Sequence, residues 1–249
     1  MANSELQGGL ADGRANADGN ADGTVKQSDR LPAAVLWDMD GTLINSEPYW
    51  GESEAQLLAR AGKVWDPEVA GTLQGSSLAF VADFMLKQAG VPGMSAQDVI
   101  DFMVAYVYRK EVEALPWTNG VYSVLEMLRD AGVPQYLVTS SPKPMARNLV
   151  EQAPAGAFAG YVCNETPVEH KPSPQPYLYA ASQLGVDIAD CLIFEDSVPG
   201  LTAAGASGAS WVSVTGYSSI DARELGLASQ FIRDYTGLTL EDIAGFLGK

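Results

Sequence analysis

Ala33-Ala34-Val35-Leu36-Trp37-Asp38-Met39-Asp40-Gly41-Thr42-Leu43 is the stretch whose reading decides the fold. A short, wholly apolar run is the signature of a buried strand. This one stops abruptly at two carboxylates before Gly41-Thr42 turns the chain. Residues i and i+2 of a strand face the same side, so Asp38 and Asp40 are expected to project together just beyond it. In open α/β sheets, ligands bind outside the carboxyl ends of the strands. Two like charges so placed are unfavourable unless a cation joins them or one is protonated. The competing reading is an ordinary turn built from Asp and Gly, and this stretch by itself leaves both open.

Three later stretches sharpen the choice. Tyr136-Leu137-Val138-Thr139-Ser140-Ser141 is a second apolar strand, and it closes in three hydroxyls. Hydroxyls and loop N–H groups there can hold a phosphate without adding charge; a helix N-cap is the alternative. In Glu169-His170-Lys171-Pro172-Ser173-Pro174 the prolines stiffen the loop around the lysine. A lysine fixed between a nucleophilic carboxylate and a phosphate dianion offsets their repulsion; a plain surface lysine is the alternative. Leu192-Ile193-Phe194-Glu195-Asp196-Ser197-Val198-Pro199-Gly200 again runs from an apolar strand into paired carboxylates and a helix start. Hard oxygen ligands from two strand ends suit Mg²⁺, and N-capping by Asp196 or Ser197 is compatible with that role.

Ile44-Asn45-Ser46-Glu47-Pro48 reads as a hinge-like linker, with Ser46 an N-cap and Glu47 and Pro48 suited to a first helical turn. Helical periodicity then covers 49–61, 67–73, 78–89 and 95–115. From Pro116 onward the pattern alternates. Helices are expected at 121–131, 144–153, 175–185 and 199–208, strands at 135–139, 160–163, 191–194 and 211–214, with weaker elements at 230–233 and 240–247. Such alternation implies an α/β fold with a doubly wound parallel sheet. The expected domains are a core at 31–46 and 116–249 and an inserted α-helical cap at 47–115. Residues 1–30 repeat Ala-Asp-Gly three times and hold almost nothing large and apolar, so a disordered N-terminal tail is expected there. A Ca²⁺ loop would need a downstream glutamate that is missing.

The chain has 249 residues, 47% of them hydrophobic, and a net charge of −16. That charge argues against nucleic acid as a partner. An acidic protein that binds a phosphorylated substrate needs local cations, either a metal or a few well-placed basic groups. Cys163 and Cys191 are too few for a disulfide framework and read as reduced core thiols. No apolar run approaches the ~18 residues of a membrane span, and no basic-then-apolar leader is present. A cytoplasmic monomer, without membrane partner, is expected.

The ordered set D-x-D-G-T, T-S-S, K-P-x-P and E-D-S-x-x-G, spanning 33–215, resembles the haloacid dehalogenase-like (HAD) hydrolase superfamily. The inserted helices resemble the helical cap of the subfamily that contains β-phosphoglucomutase and sugar-phosphate phosphatases. The resemblance implies that Asp38 is the nucleophile that forms an aspartyl-phosphate. It implies that Asp40 is general acid and then general base, and that Thr139, the Ser140 N–H and Lys171 bind and steady the phosphoryl group. Ser141, Gly41 and Thr42 are counted with the substrate-binding loops. Mg²⁺ would be held by Asp38, the Asp40 carbonyl oxygen and Asp196, with Glu195 orienting its waters. Asn45, His170 and Gln175 depart from the family pattern, where Asp, Gly and an acidic residue are usual.

Asp40 favours phosphoryl transfer over dehalogenation, which needs no second acid. The cap His and Arg of β-phosphoglucomutase would fall at Trp50 and at or near Leu78, neither able to bind phosphate, so the phosphosugar mutase is the alternative rather than the first reading. A phosphonatase would need Lys63 or Lys87 as a Schiff-base lysine, and neither shows signs of burial. A non-catalytic relative would ordinarily lack Asp38 or Asp40. The expectation is therefore a phosphatase acting on small phosphorylated substrates, sugar or polyol phosphates. Trp50, Gln74 and Ser76 or Ser77 are candidates for contacts to the leaving group, with plain packing as the alternative.

Overall fold

In the computed structural model, which describes residues 30–248 apart from 67, 68, 70–72, 74, 75, 88, 89, 92 and 219, Ala34–Trp37 forms β1 and is buried at every residue. The expected tail at 1–29, most of the helix expected at 67–73, and Gln74 lie outside the described residues. The remaining elements, in chain order, are α1 (Glu47–Arg60), α2 (Leu78–Lys87), α3 (Ala96–Glu113), α4 (Val121–Asp130), β2 (Gln135–Val138), α5 (Lys143–Gln152) and β3 (Phe158–Val162). They continue with α6 (Gln175–Leu184), β4 (Cys191–Glu195), α7 (Val198–Ser207), β5 (Ser210–Val214), β6 (Phe231–Ile232) and α8 (Leu240–Gly245).

All six strands pair in parallel, in the order β3-β2-β1-β4-β5-β6. A parallel sheet is covered on both faces, so its strands read as continuous apolar runs. Alternation along β1 divides the core. Val35 and Trp37 join one apolar cluster with Leu125 and Leu128 of α4 and Met145 and Leu149 of α5. Ala34 and Leu36 join the other, with Tyr177 and Ala180 of α6 and Ala203 of α7. The strand order reverses at β1, whose neighbours are β2 and β4, and that reversal opens a crevice at the carboxyl ends.

Helices α1–α3 lie between β1 and α4 in the chain, outside the sheet, and share a separate apolar cluster that includes Leu57, Val81, Met85, Val99 and Met103. A reciprocal Ser95–Asp98 capping box starts α3. The two chain connections between these helices and the sheet run side by side, tied by Asn45 N to Pro116 O at 2.9 Å and Thr118 N to Leu43 O at 2.9 Å. Val107 and Leu115, at the far end of the helical stretch, pack into the sheet's own cluster.

Two local expectations are corrected. Ser46 stands at the start of α1 but makes no cap hydrogen bond, because its hydroxyl is used elsewhere. β3 begins at Phe158 rather than at Gly160. Gly160 lies inside the strand, where a Cβ would fall 2.7 Å from the Tyr136 hydroxyl. Both cysteines are buried free thiols. No described helix is long and apolar enough to cross a membrane.

Candidate active site

β1, β2 and β4 end together, and the groups that follow them converge. The Asp38 N–H donates to Phe194 O at 3.1 Å, carrying the ladder one step past β1. Lys171 Nζ donates to Asp38 Oδ1 at 2.6 Å, Glu195 Oε1 at 2.7 Å and Val138 O at 2.9 Å. These contacts use all three ammonium donors. Glu195 is wholly buried. Its Oε1 also accepts from the Tyr177 hydroxyl at 3.0 Å, and its Oε2 accepts from Asp196 N, Ser197 N and Ser197 Oγ at 2.8, 3.0 and 3.2 Å. Ser197 in turn caps α7 through Gly200 N at 3.1 Å.

Glycines make room for these carboxylates. A Cβ at Gly200 would meet Glu195 Oε1 at 1.6 Å, and one at Gly41, where φ is +84°, would meet Asp196 Oδ2 at 2.1 Å. Thr42 Oγ1 donates to Asp196 Oδ1 at 3.3 Å.

Asp38, Glu195 and Asp196 each offer an oxygen within 4.8 Å of the others. Burial, followed by the charge of Glu195, pushes the Asp38 carboxyl up to about 7 against the pull of Lys171. Burial and the charges of Asp38 and Glu195 push Asp196 well above the usual carboxylate range. Burial works against the Lys171 ammonium, but the neighbouring carboxylates hold it well above its ordinary value. Three carboxylates against one ammonium leave an excess of negative charge in an all-oxygen donor set, which fits a hard metal cation. Glu195 is already fully engaged. Asp38 Oδ2 and Asp196 Oδ2 have no hydrogen-bond partner among the described residues.

Asp40 has a different set of partners. Its Oδ1 accepts from Ser46 Oγ at 2.5 Å and its Oδ2 from Ser141 Oγ at 2.6 Å. Burial pushes its pKa up, while these hydroxyls and Lys171 pull it down. Thr139 Oγ1 accepts from Ser141 N at 2.9 Å and so shapes the turn after β2. The N-cap position of α5 is occupied by Pro142, so the three hydroxyls are not spent on capping.

Of the expected site residues, Asp38, Lys171, Glu195, Asp196 and Thr42 form one hydrogen-bonded group and Asp40, Ser141 and Thr139 a second, with Gly41 leaving room for Asp196. Ser140 is exposed at the same strand end. Trp50 packs against both the sheet cluster and the helical cluster and, among the described residues, touches the site only through its N–H, which donates to Ser46 O at 3.3 Å; Ser76 is half-buried. His170 is exposed. Sequence reasoning missed Tyr177, whose hydroxyl holds Glu195 and whose ring centroid lies 5.1 Å from Lys171 Nζ. It also missed the use of Ser46 on Asp40. The one available signal for Tyr177 was a phenol on a buried helix face, which needs a polar partner.

The model of the family described as haloacid dehalogenase-like hydrolase matches residues 32–208, the span that carries every motif of this network. The chain belongs to that family. Among HAD relatives, hexitol phosphatase B of Escherichia coli (strain K12) is 29% identical over 215 residues, covering 85% of this chain and 96% of that protein. Validoxylamine A 7′-phosphate phosphatase of Streptomyces hygroscopicus subsp. limoneus is 30% identical over 204 residues, covering 81% and 93%. Among solved structures, a family IA, variant 3 HAD hydrolase from Entamoeba histolytica matches with a TM-score of 0.73 at 21% identity, covering 86% of this chain and 98% of that one. CbbY from Rhodobacter sphaeroides in complex with phosphate matches with a TM-score of 0.72 at 24% identity, covering 84% and 96%. These two structures establish the shared HAD fold.

Proposed function

We propose that the protein is a Mg²⁺-dependent phosphatase that hydrolyses small phosphomonoesters, sugar or polyol phosphates, through an aspartyl-phosphate on Asp38. The observation that carries this reading is the Lys171 ammonium pinned between Asp38 and Glu195, beside Asp196, at the strand ends. Two relatives, a hexitol phosphatase and a validoxylamine A 7′-phosphate phosphatase, support the substrate class.

In the first step the Asp38 carboxylate attacks phosphorus. The new O–P bond forms as the ester P–O bond breaks, and the leaving oxygen takes the proton of Asp40. In the second step Asp40 takes a proton from water, whose oxygen attacks the same phosphorus and releases phosphate and the Asp38 carboxylate. Lys171 offsets charge on the phosphoryl oxygens, with Thr139 and the Ser140 N–H lining the phosphate seat. Mg²⁺, when bound, would be held by Asp38, Asp196 and the Asp40 carbonyl oxygen and would neutralise charge on the nucleophile and the phosphoryl group. Glu195, whose oxygens are taken up by Lys171, Tyr177 and the 196–197 backbone, would act by fixing Lys171 and the Asp196 loop rather than through waters of its own.

Residues 47–115 act as a cap over a core of 31–46 and 116–249, pivoting at 43–47 and 115–119 to shut out bulk water, with Trp50 and Ser76 candidates for contacts to the leaving group. Slower hydrogen exchange at both linkers with a phosphate analogue is the expected result, and unchanged exchange removes the closing motion. The test of the activity is phosphate release from a panel of phosphomonoesters, with and without Mg²⁺, for the parent and Asp38→Asn. Release that needs Mg²⁺ and vanishes in Asp38→Asn is expected. No release, with glucose 1-phosphate converted to glucose 6-phosphate once a bisphosphate primer is present, would overturn the phosphatase in favour of a mutase.

A further inference from the structure

Helix α1 begins beside the catalytic loops and carries, two turns on, a carboxyl that the reaction above does not use. Glu54 is only 6% exposed. Burial, followed by the charge of Glu47, pushes its pKa up to about 7. The Trp65 indole N–H lies close enough to draw it back down, yet that N–H is itself buried without a formed hydrogen bond among the described residues. A buried acceptor and a buried donor thus face each other with neither satisfied, which costs stability. An apolar pair of the same shape would avoid the cost.

The helix surface leading to this pair is open. Gly51 stands one turn before Glu54, inside α1, where glycine weakens a helix. No packing demand explains it, because a Cβ there would meet nothing within 4 Å. Glu47, Gly51 and Glu54 follow at helical spacing and line one stripe of α1, and the charge of Glu47 does reach Glu54. Trp50, one turn before Glu54, packs against both the sheet cluster and the helical cluster. That places this side of α1 at the seam between the helices and the sheet. The start of the helix is fixed at the site, since Ser46 Oγ donates to Asp40 Oδ1 at 2.5 Å. From Ser46 to Glu54 the helix rises about 12 Å, and side chains lean back towards the N-terminus. The remaining gap is close to the span of an extended six-carbon polyol.

We propose that Glu54 and the Trp65 N–H form a hydroxyl-recognition subsite, reached over Gly51, that selects phosphate esters of polyhydroxy chains. The proposal rests on the phosphatase reading above and assigns the part of the substrate that the helical residues select. A hydroxyl both donates and accepts. One substrate hydroxyl can donate to Glu54 and accept from Trp65, satisfying both groups at once. An alkyl chain leaves both buried and unpaired, which is how a site built for a hydroxyl rejects the analogue without it. A second phosphate would bring an anion against Glu47 and Glu54, so a bisphosphate is disfavoured.

The test measures kcat/KM for a hexitol 6-phosphate and for n-hexyl phosphate, which has the same carbon chain without hydroxyls. The proteins compared are the parent, Glu54→Leu, Glu54→Gln and Gly51→Leu. The ratio of the two values within one protein cancels any general loss of activity. The parent should favour the hexitol ester, and Glu54→Leu should cut that preference by about 10–100-fold. Its melting temperature should be no lower than the parent's, because the unpaired carboxyl is gone. Gly51→Leu should hold or gain melting temperature, since leucine favours the helix. It should also raise KM for the hexitol ester at least about tenfold relative to ethyl phosphate, which is too short to run over Gly51. A parent without preference, a preference unchanged in Glu54→Leu, or a hexitol ester bound by Gly51→Leu as by the parent would each overturn the proposal. If Glu54→Leu fails to fold, Glu54→Gln decides, with a smaller loss of preference expected. A parent that releases no phosphate from any ester removes the phosphatase reading and this inference together, whereas an active parent without discrimination removes this inference alone.

Discussion

Lys171 Nζ lies 2.6 Å from Asp38 Oδ1, and the lysine side chain is only 4% exposed. A salt bridge shielded to that degree is strongly held once formed and costly to break from one side. It lies where the strand order reverses, so the carboxyl proposed as nucleophile is also one half of a buried ion pair.

Replacing Lys171 with Met leaves Asp38 and Glu195 buried without their cation. Loss of one partner from a buried pair costs about 3–5 kcal/mol, to be read from denaturant unfolding. Loss of a charge-stabilising group at the phosphoryl oxygens should lower kcat by about 10²–10³-fold. A variant as stable as the parent would contradict the buried-pair account.

The carboxylate cluster predicts how stability depends on pH and metal. The folded pKa of Asp38 is raised, from 3.8 to about 7. Its contribution to stability is therefore present in acid and lost as pH rises through that window. Metal-free protein should show a melting temperature that declines between about pH 4 and pH 7. Mg²⁺ binds the ionised carboxylates, so its stabilising effect should grow with pH, reaching about 2.7 kcal/mol at a hundredfold excess over Kd. Asp196→Asn should abolish the Mg²⁺-induced shift; a shift of parent size would show that Asp196 is not a ligand.

Ser141→Ala removes a donor that favours the ionised form of Asp40. The pKa of Asp40 should rise, and the acid limb of the kcat profile should move to higher pH, because the second step needs Asp40 ionised. Ser46→Ala should act in the same direction. An unmoved acid limb in both variants would argue against Asp40 as the base.

Gly200→Ala pushes a methyl group into the space of Glu195 Oε1. Glu195 must shift, and Lys171 with it. The expected cost is about 1–3 kcal/mol in stability, with kcat reduced more than KM is raised. Parent-like unfolding and kinetics would show that Glu195 can move without consequence.

The strand-end motifs could be read from sequence because each is a local transition, an apolar run breaking into carboxylates or hydroxyls within a few residues. Partnerships across elements could not. The bond from Tyr177 to Glu195 joins α6 to β4, and nothing beside either residue names the other. Ser46 looks like a helix cap because capping is what a serine before Glu-Pro ordinarily does; only the folded turn brings it onto Asp40. Glu111 is hidden most deeply. In Arg109-Lys110-Glu111-Val112-Glu113 it looks like part of a solvated charged run, yet Glu111 is wholly buried while Val112 is 50% exposed. The helix phase set by Met103 and Val107 decides this, against the hydropathy of the individual residues.

The two serines on Asp40 come from opposite sides, Ser46 from the start of α1 and Ser141 from the loop before α5. The proton affinity of the proposed acid–base is thus set from two separate elements at once, and loss of either contact raises it. A molecule that keeps α1 from seating would remove the Ser46 contact and so change the protonation of Asp40 without touching the phosphate site. An inhibitor of this enzyme therefore has no need to imitate a phosphate ester. An uncharged wedge between α1 and the loop before α5 would serve, and it would escape the electrostatic toll that a cluster of carboxylates levies on every anion.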